Sequence, residues 1–388
     1  VDYPDEILED HGVRAVGLFS GIGGFEVGLA KAGIGTDLLC ENWEPATLTL
    51  RRHFDAEVVG DIRKLRSLPN CDVVTAGFPC TDLSQVGRTA GIDGAESGLI
   101  REVFRLIANN APTWVVLENV PNMLSLHGGL PIRQITDWFH RHGWNWAYRT
   151  VDSQYFGVRQ RRRRVIVVAS LSEDPRTVLF ADDAPPRRGR DTHRAYGFYW
   201  TEGNRGLGWG EGVTPTLKGG SKLGIASPPG VWLSDQPDGA AIARPSITSG
   251  ERLQGFPSGW TACIGREGVR WKLVGNAVSV PVAKWIGGRL LAPGEPVDVS
   301  RRPLIELTRW PSSAASVGAE REAWQLSERP LALVGRNSLA AILDRYGHQP
   351  LSLVATRGFT TRLKASSLRS RPGFIDALDA HIHALESS

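Results

Sequence analysis

Cysteine is scarce in this chain and methionine nearly absent: its 388 residues hold four cysteines and one Met. Cys40, Cys71, Cys80 and Cys263 form no CxxC pair and have no histidine at ligand spacing, so neither a disulfide framework nor a zinc or other metal site is expected. Long apolar runs are missing too. No stretch approaches the roughly 18 apolar residues of a membrane span, and the acidic start Val1-Asp2-Tyr3-Pro4-Asp5 lacks the basic opening and apolar core of a leader. Neither secretion nor membrane spanning is expected, and a reducing cytoplasm is the natural setting. Lysine is rare, at seven of the 45 basic residues. A GC-rich genome explains that bias as readily as a need for bidentate phosphate and guanine contacts. Net charge is only +4, yet Arg159, Arg161, Arg162, Arg163 and Arg164 fall in one run, and residues 355–372 hold basic residues with few acids. Such local basic faces suit a polyanionic partner.

What is present is a core. Hydrophobic residues make up 41% of the chain, ample for a sizeable buried core, and 388 residues are enough for two or three domains. An apolar run at 13–19 ends in a glycine turn and passes into a helical pattern at 25–32, the opening of a nucleotide-binding α/β unit. Further strands are expected at 36–40, 73–76, 114–117 and 165–169, with helices at 99–109 and 132–142. The fold class is therefore α/β, a doubly wound, mostly parallel sheet of the Rossmann-like kind, with ligands gathered at the carboxyl ends of its strands. Residues 182–243 change character: glycine, proline, arginine and aromatics dominate, which predicts an ordered, loop-rich insert of short strands and turns. Regular structure returns at 244–294 and closes with a helix at 282–291. Residues 295–388 form an extension with helical patches at 338–346 and 374–385. The expected units are thus 1–181, 182–243, 244–294 and 295–388.

Polar clusters end the strands. Phe19-Ser20-Gly21-Ile22-Gly23-Gly24 places glycine where backbone must approach a ligand at a helix N-terminus, though such a turn is often only tight packing. Glu41 lies about 20 residues on, where an acidic residue can bind ribose hydroxyls; alone it is as readily a solvated strand-end carboxylate. Asp61 is a further acceptor or an N-cap. Cys80 follows Phe78-Pro79 at another strand end, and a lone cysteine is more often buried and inert than catalytic. Glu118-Asn119-Val120 ends the next strand. Arg162 and Arg164, two apart before another strand, would point the same way, unless the run is simply a solvated basic edge.

In this order the pieces resemble the DNA (cytosine-5)-methyltransferases of type II restriction-modification systems. The glycine turn is similar to that family's first motif, Pro79-Cys80 with Ser84-Gln85 to its nucleophile motif, and Glu118-Asn119-Val120 to its substrate-carboxyl motif. Phe156-Gly157-Val158-Arg159-Gln160 with the arginines that follow is similar to its arginine motif, and Arg252-Leu253-Gln254-Gly255-Phe256-Pro257 and Gly275-Asn276-Ala277-Val278 to its last two. The resemblance implies S-adenosylmethionine over Phe19, Ser20, Gly21, Gly23 and Gly24, with Glu41 on the ribose. It further implies Asp61 and Ile62 near the adenine, Phe78 and Pro79 alongside, and Asn276 and Val278 at the methionine end. Asn42 stands where the family often has an aromatic or aliphatic residue, and Trp43 comes one place later, which leaves the adenine-stacking residue open. Arg159 replaces the family's usual proline, and Cys80-Thr81-Asp82-Leu83-Ser84 departs from its usual nucleophile loop.

The resemblance also implies chemistry. Cys80 would attack C6 of a flipped-out cytosine, a protonated Glu118 would hold N3, Arg164 and Arg162 would hold the base carbonyl or phosphate, and Asn119 would orient the Pro79-Cys80 turn. Ser84 and Gln85 would close over duplex DNA, and Arg205, Lys218 and Lys222 in the 182–243 insert, the family's target-recognition position, would contact it. A restriction endonuclease is the implied partner, without a stable complex, and a monomer is sufficient for the reaction. A tRNA cytosine-5 methyltransferase and a catalytically silent DNA-binding relative are the other readings. The extension, outside the resemblance, is left as an accessory DNA or protein contact or simple packing.

Overall fold

The computed structural model describes residues 11–78, 98–185, 194–201, 206–219, 228–304, 310–318, 320–333 and 337–387. Five strands, β1 (Arg14–Leu18), β2 (Gly35–Cys40), β3 (Glu57–Val59), β4 (Val73–Ala76) and β5 (Trp114–Asn119), lie parallel in the order β3-β2-β1-β4-β5. β4 and β5 are buried end to end because helices cover both faces, which is why they read as near-continuous apolar runs. Helices Gly98–Asn110 and Leu130–Arg141 pack on one face, where Phe104 stacks on Trp138 at 4.2 Å. Helices Gly24–Ala30 and Val280–Leu291 cover the other, and a Cβ on Gly28 would strike Ala283, so glycine is what lets these two meet. The doubly wound α/β class expected from the sequence is present.

Two strands, β6 (Asn145–Asp152) and β7 (Arg163–Ser170), extend the sheet beside β5 as an antiparallel pair. The run at 165–169 is therefore reversed relative to the parallel set. β6 itself escapes a hydrophobic-pattern reading because Arg149 at its centre is wholly buried. Its guanidinium donates to the carbonyls of Leu179 at 3.0 Å and Ser327 at 2.8 Å and pairs with Asp183 at 2.6 Å. Burial pulls the Arg149 pKa down to about 10 against the opposing pull of Asp183.

The chain next forms a second antiparallel sheet with β8 (Ala195–Phe198), β9 (Gly210–Glu211), β10 (Gly230–Leu233) and β11 (Ile242–Pro245), the short strands expected of the insert. After the helix Val280–Leu291 it returns to the first sheet: β12 (Arg301–Pro303), β13 (Ser313–Val317) and β14 (Glu320–Trp324) attach beyond β6 in the order β6-β13-β14-β12. It then crosses back. β15 (His348–Pro350) pairs with β11 and completes the order β15-β11-β10-β8-β9.

The extension is thus woven into both sheets. In the smaller one, Phe198, Leu207 and Ile242 share a buried cluster with Leu351, Phe359, Leu363, Phe374 and Leu378, so most of that core comes from the extension. The expected helical patches are the helices Leu339–Tyr346 and Phe374–Glu386; a third helix, Leu353–Lys364, lies between them. The basic stretch around 357–371 is largely neutralised within the fold: Arg357 pairs with Glu386, Lys364 with Asp379 and Arg371 with Glu211. No helix among the described residues is long and apolar enough to cross a membrane.

Candidate active site

The turn after β1 is tight from its first residue. Phe19, Gly21 and Gly23 all take positive φ, at 55°, 55° and 85°; only the glycines do so without steric cost. The Gly23 amide donates to the Ser20 carbonyl at 2.9 Å, and the Ser20 amide to the Cys40 carbonyl at 3.1 Å, which ties the turn to the end of β2. At Gly24 a Cβ would collide with the Val278 carbonyl, so the Gly275-Asn276-Ala277-Val278 segment sits directly against the start of the helix. Glu41 holds this geometry. Its carboxylate accepts from the Gly21 amide at 2.9 Å and the Trp43 amide at 2.8 Å. Burial pushes the carboxyl pKa up, and the amides from Trp43 and Gly21 pull it part of the way back.

Beside Glu41 lies a cavity of about 150 Å³ lined by Phe19, Asn42, Asp61, Ile62 and Leu99 among others. Leu99 was not foreseen, because nothing in a helical apolar pattern separates a residue that faces a ligand from one that faces the sheet. Trp43 does not line this cavity; its ring lies under the Lys272 ammonium at 4.7 Å. Asp61 caps the short helix Ile62–Lys64 through the Arg63 amide and pairs with the Arg63 guanidinium at 2.7 Å, which holds its pKa below the usual carboxylate value.

The second half of the site is the end of β5. Glu118 is 8% exposed and its Oε1 lies 2.7 Å from Arg164 Nε. That ion pair is largely shielded from water, so removing either partner would leave a charge poorly solvated. Asn119 donates its amide to the Phe78 carbonyl at 3.1 Å and accepts from the Val120 amide at 2.8 Å, bracing the end of the β4 segment. A Cβ placed on Gly77 would lie 3.5 Å from Val278, 3.8 Å from Glu118 Oε2 and 4.0 Å from the Phe19 carbonyl. The glycine turn, the Glu118 carboxyl and the chain leading to Cys80 therefore meet at one point. Pro79, Cys80, Ser84, Gln85, Arg205 and Lys222 lie outside the described residues.

The two arginines go to different partners. Arg164 meets Glu118, whereas Arg162 is buried and donates to the main-chain carbonyls of Leu217 at 3.3 Å, Gly275 at 3.1 Å and Ala277 at 2.8 Å. Arg162 thus joins the insert to the Gly275-Asn276-Ala277-Val278 segment. Two glutamines that sequence reasoning passed over complete the junction. Gln160 Nε2 donates to Gln254 Oε1 at 2.8 Å while its Oε1 accepts from the Leu217 amide at 2.8 Å, and Gln254 donates to the Val274 carbonyl at 2.8 Å. Both stand in motifs quoted above, but a glutamine carries no charge or periodicity that marks it as buried. Asn276 is exposed, with its side-chain oxygen against Gly219, and Lys218 places its ammonium 4.1 Å over the Tyr199 ring.

Known proteins resemble this chain in sequence and in fold. Residues 13–191 match the family model of the C-5 cytosine-specific DNA methylases. The chain is 42% identical to the type II methyltransferase M2.BsuMI of Bacillus subtilis strain 168, over 95% of this chain and 97% of that one. It is also 31% identical to the type II methyltransferase M.BanI of Aneurinibacillus aneurinilyticus, over 43% of this chain and 40% of that one. Among solved structures, the S. pombe Dnmt2 methyltransferase aligns with a TM-score of 0.56 at 17% identity, covering 72% of this chain and 98% of its own. The Entamoeba histolytica methyltransferase EhMeth aligns at 0.53 and 16%, covering 71% and 96%. At such identities the structures speak for the fold alone, and the family rests on the full-length likeness to a type II methyltransferase together with the matched domain. The chain belongs to the C-5 cytosine-specific DNA methylases and is a type II DNA (cytosine-5)-methyltransferase.

Proposed function

We propose that the protein methylates C5 of a flipped-out cytosine in a specific duplex DNA sequence, using S-adenosylmethionine and a covalent Cys80 adduct. The residues present fit that cofactor: Glu41 offers a fixed acceptor for ribose hydroxyls, the adjoining cavity has room beside Phe19, Ile62 and Leu99, and at Gly21 even an added Cβ would meet nothing within 4 Å. When bound, the cofactor supplies an electrophilic methyl group. Cytosine C5 is too weak a nucleophile to take it unaided. The Cys80 thiolate would add to C6, a proton held by Glu118 at N3 would drain the charge that develops in the ring, and the enamine carbon C5 would take the methyl group, leaving S-adenosylhomocysteine. Loss of the C5 proton to a base then drives out Cys80 and restores the aromatic ring. Arg164 orients Glu118 and the base carbonyl, Asn119 braces the turn that carries Cys80, and Arg162 clamps the recognition loop. A base stacked in a duplex must leave the stack to enter such a site.

The observation that carries this reading is the convergence on Gly77, where an added Cβ would have Val278, Glu118 Oε2 and the Phe19 carbonyl all within 4.0 Å. Lys218, with Lys222 and Arg205, contacts DNA, and protection of host DNA from a cognate restriction endonuclease by a cytoplasmic, monomeric enzyme is the expected role. The test is incubation of wild type and Cys80→Ala with radiolabelled S-adenosylmethionine and mixed-sequence duplex DNA, bulk tRNA in parallel, followed by bisulfite mapping. Label in DNA that vanishes in Cys80→Ala is the expected result. Label confined to tRNA, or retained in Cys80→Ala, would overturn the reading.

A further inference from the structure

The extension lies outside the residues that match the family domain, yet one stretch of it runs along the back of the loop that carries Arg162 and leads into Arg164. That loop joins β6 to β7 and is held on one side by the insert: the Arg161 amide donates to the Thr214 carbonyl and the Thr214 amide to the Arg159 carbonyl, each at 2.8 Å. On its other side lie residues 327–333 and Asn337. The Asp152 amide donates to the Glu328 carbonyl at 3.1 Å, and the Leu333 amide to the Tyr155 carbonyl at 3.0 Å. Arg159 Nε donates to the Asn337 carbonyl at 2.8 Å. The Glu328 carboxylate pairs with Arg163, and the Ser327 carbonyl accepts twice from the buried Arg149.

Two of these contacts, both made by Glu328, fall on one rung of the sheet. Asp152 and Arg163 face each other across the β6–β7 ladder, next to the pair Val151 and Arg164. The strap grips both members of that rung, Asp152 through its amide and Arg163 through its guanidinium. Inside the loop, Asp152 Oδ1 accepts from the Arg162 amide at 2.9 Å. A shift of the strap would therefore be passed to Arg162 and Arg164 through main-chain bonds and one short side chain, with no flexible link between.

We propose that residues 327–333 of the extension are a positioning element for methyl transfer, fixing the β6–β7 loop from behind so that Arg164 meets Glu118. The proposal rests on the assignment of Glu118 and Arg164 to the target base. The strap touches neither base nor cofactor. Its contribution is angular, and errors of the order of 1 Å at such a distance can cost up to about a hundredfold in rate.

Leu333→Pro tests it, because proline removes the amide that reaches Tyr155 while the Leu333 side chain is half exposed and makes little of the core. The expected result is a fall in kcat of about tenfold, with the KM and calorimetric Kd for S-adenosylmethionine unchanged. Leu333→Ala, which keeps the amide, should restore wild-type turnover. Combined with Arg164→Lys, Leu333→Pro should cost no more than Arg164→Lys alone, since both act through one pair. If Leu333→Pro fails to fold, Glu328→Gln removes the bond to Arg163 at the surface and should lower kcat roughly threefold with the same unchanged cofactor Kd. Equal turnover in Leu333→Pro and Leu333→Ala, multiplicative losses with Arg164→Lys, or unaltered turnover in Glu328→Gln would each overturn the strap. Full turnover in Glu118→Gln would instead remove the base-handling assignment, and the proposal with it.

Discussion

The two sheets are made in different ways. In the larger, β1 to β5 are joined by local strand-and-helix connections, and most of what buries them is close in sequence, the helix Val280–Leu291 on one face being the main exception. In the smaller, β8 to β11 cannot cover their own apolar side: Phe198 and Ile242 are buried by Phe359, Phe374 and Leu378, more than a hundred residues further on. A sheet that closes locally can be read from a local pattern and can fold as a unit. One that waits for a distant segment does neither, and its stability is tied to the end of the chain.

The sharpest way to break that comparison is to delete residues 338–388. The smaller sheet should lose protection entirely while the larger keeps a resistant core, as limited proteolysis with mass-spectrometric mapping would show; protection persisting at 195–245 would end the argument. Phe374→Ala is gentler. It should cost about 3–5 kcal/mol, as Phe139→Ala should in the larger sheet. In equilibrium denaturation the former should weaken DNA binding and spare cofactor binding, and Phe139→Ala should not discriminate between them.

A third test separates the sheets by pH. Glu26 is wholly buried against β1, and its pKa is raised to about 7, chiefly by burial, with the Ser20 hydroxyl opposing and Glu41 adding to the rise. The folded state holds a proton that the unfolded state has released, so stability is lost as pH climbs from about 4.5 to about 7. Relative to wild type, Glu26→Gln should gain on the order of 3 kcal/mol between pH 5 and pH 8. Chemical denaturation at the two pH values measures this, and a constant difference would refute it. Gly275→Ala addresses the junction between the sheets. Its Cβ would press on the Lys218 main chain, and kcat/KM for DNA should fall about tenfold as the loop that holds Lys218 shifts. The smallest effect belongs to Arg357→Ala. Its exposed pair with Glu386 should be worth no more than about 1 kcal/mol, and the salt dependence of DNA binding should not change.

How much was legible follows the same division. Strand ends carrying Phe19, Glu41 and Glu118 could be placed because parallel strands buried on both faces leave continuous apolar runs that stop where polar residues begin. β6 was hidden by Arg149, whose burial depends on carbonyls from Leu179 and Ser327 that no local window contains. Arg162 and Arg164 could be paired by spacing but not told apart, since their separate partners come from the insert and from β5. The roles of Gln160 and Gln254 emerge only where four distant segments meet. The aromatic insert was recognisable as ordered, but not that the extension would complete it.

The threading of the chain, from large sheet to small, back, and to the small once more, has a consequence for how such a protein is made and diversified. A ribosome delivers most of the larger sheet first and the last strand of the smaller sheet near the very end, so a nascent chain can hold most of the larger sheet before the smaller one can close. Under the target-recognition role proposed for the insert, exchange of target preference between relatives is constrained likewise. Transplanting 195–245 alone would bring strands without the helices that cover them, so new specificities in this architecture should arise by replacing two separated stretches of gene together.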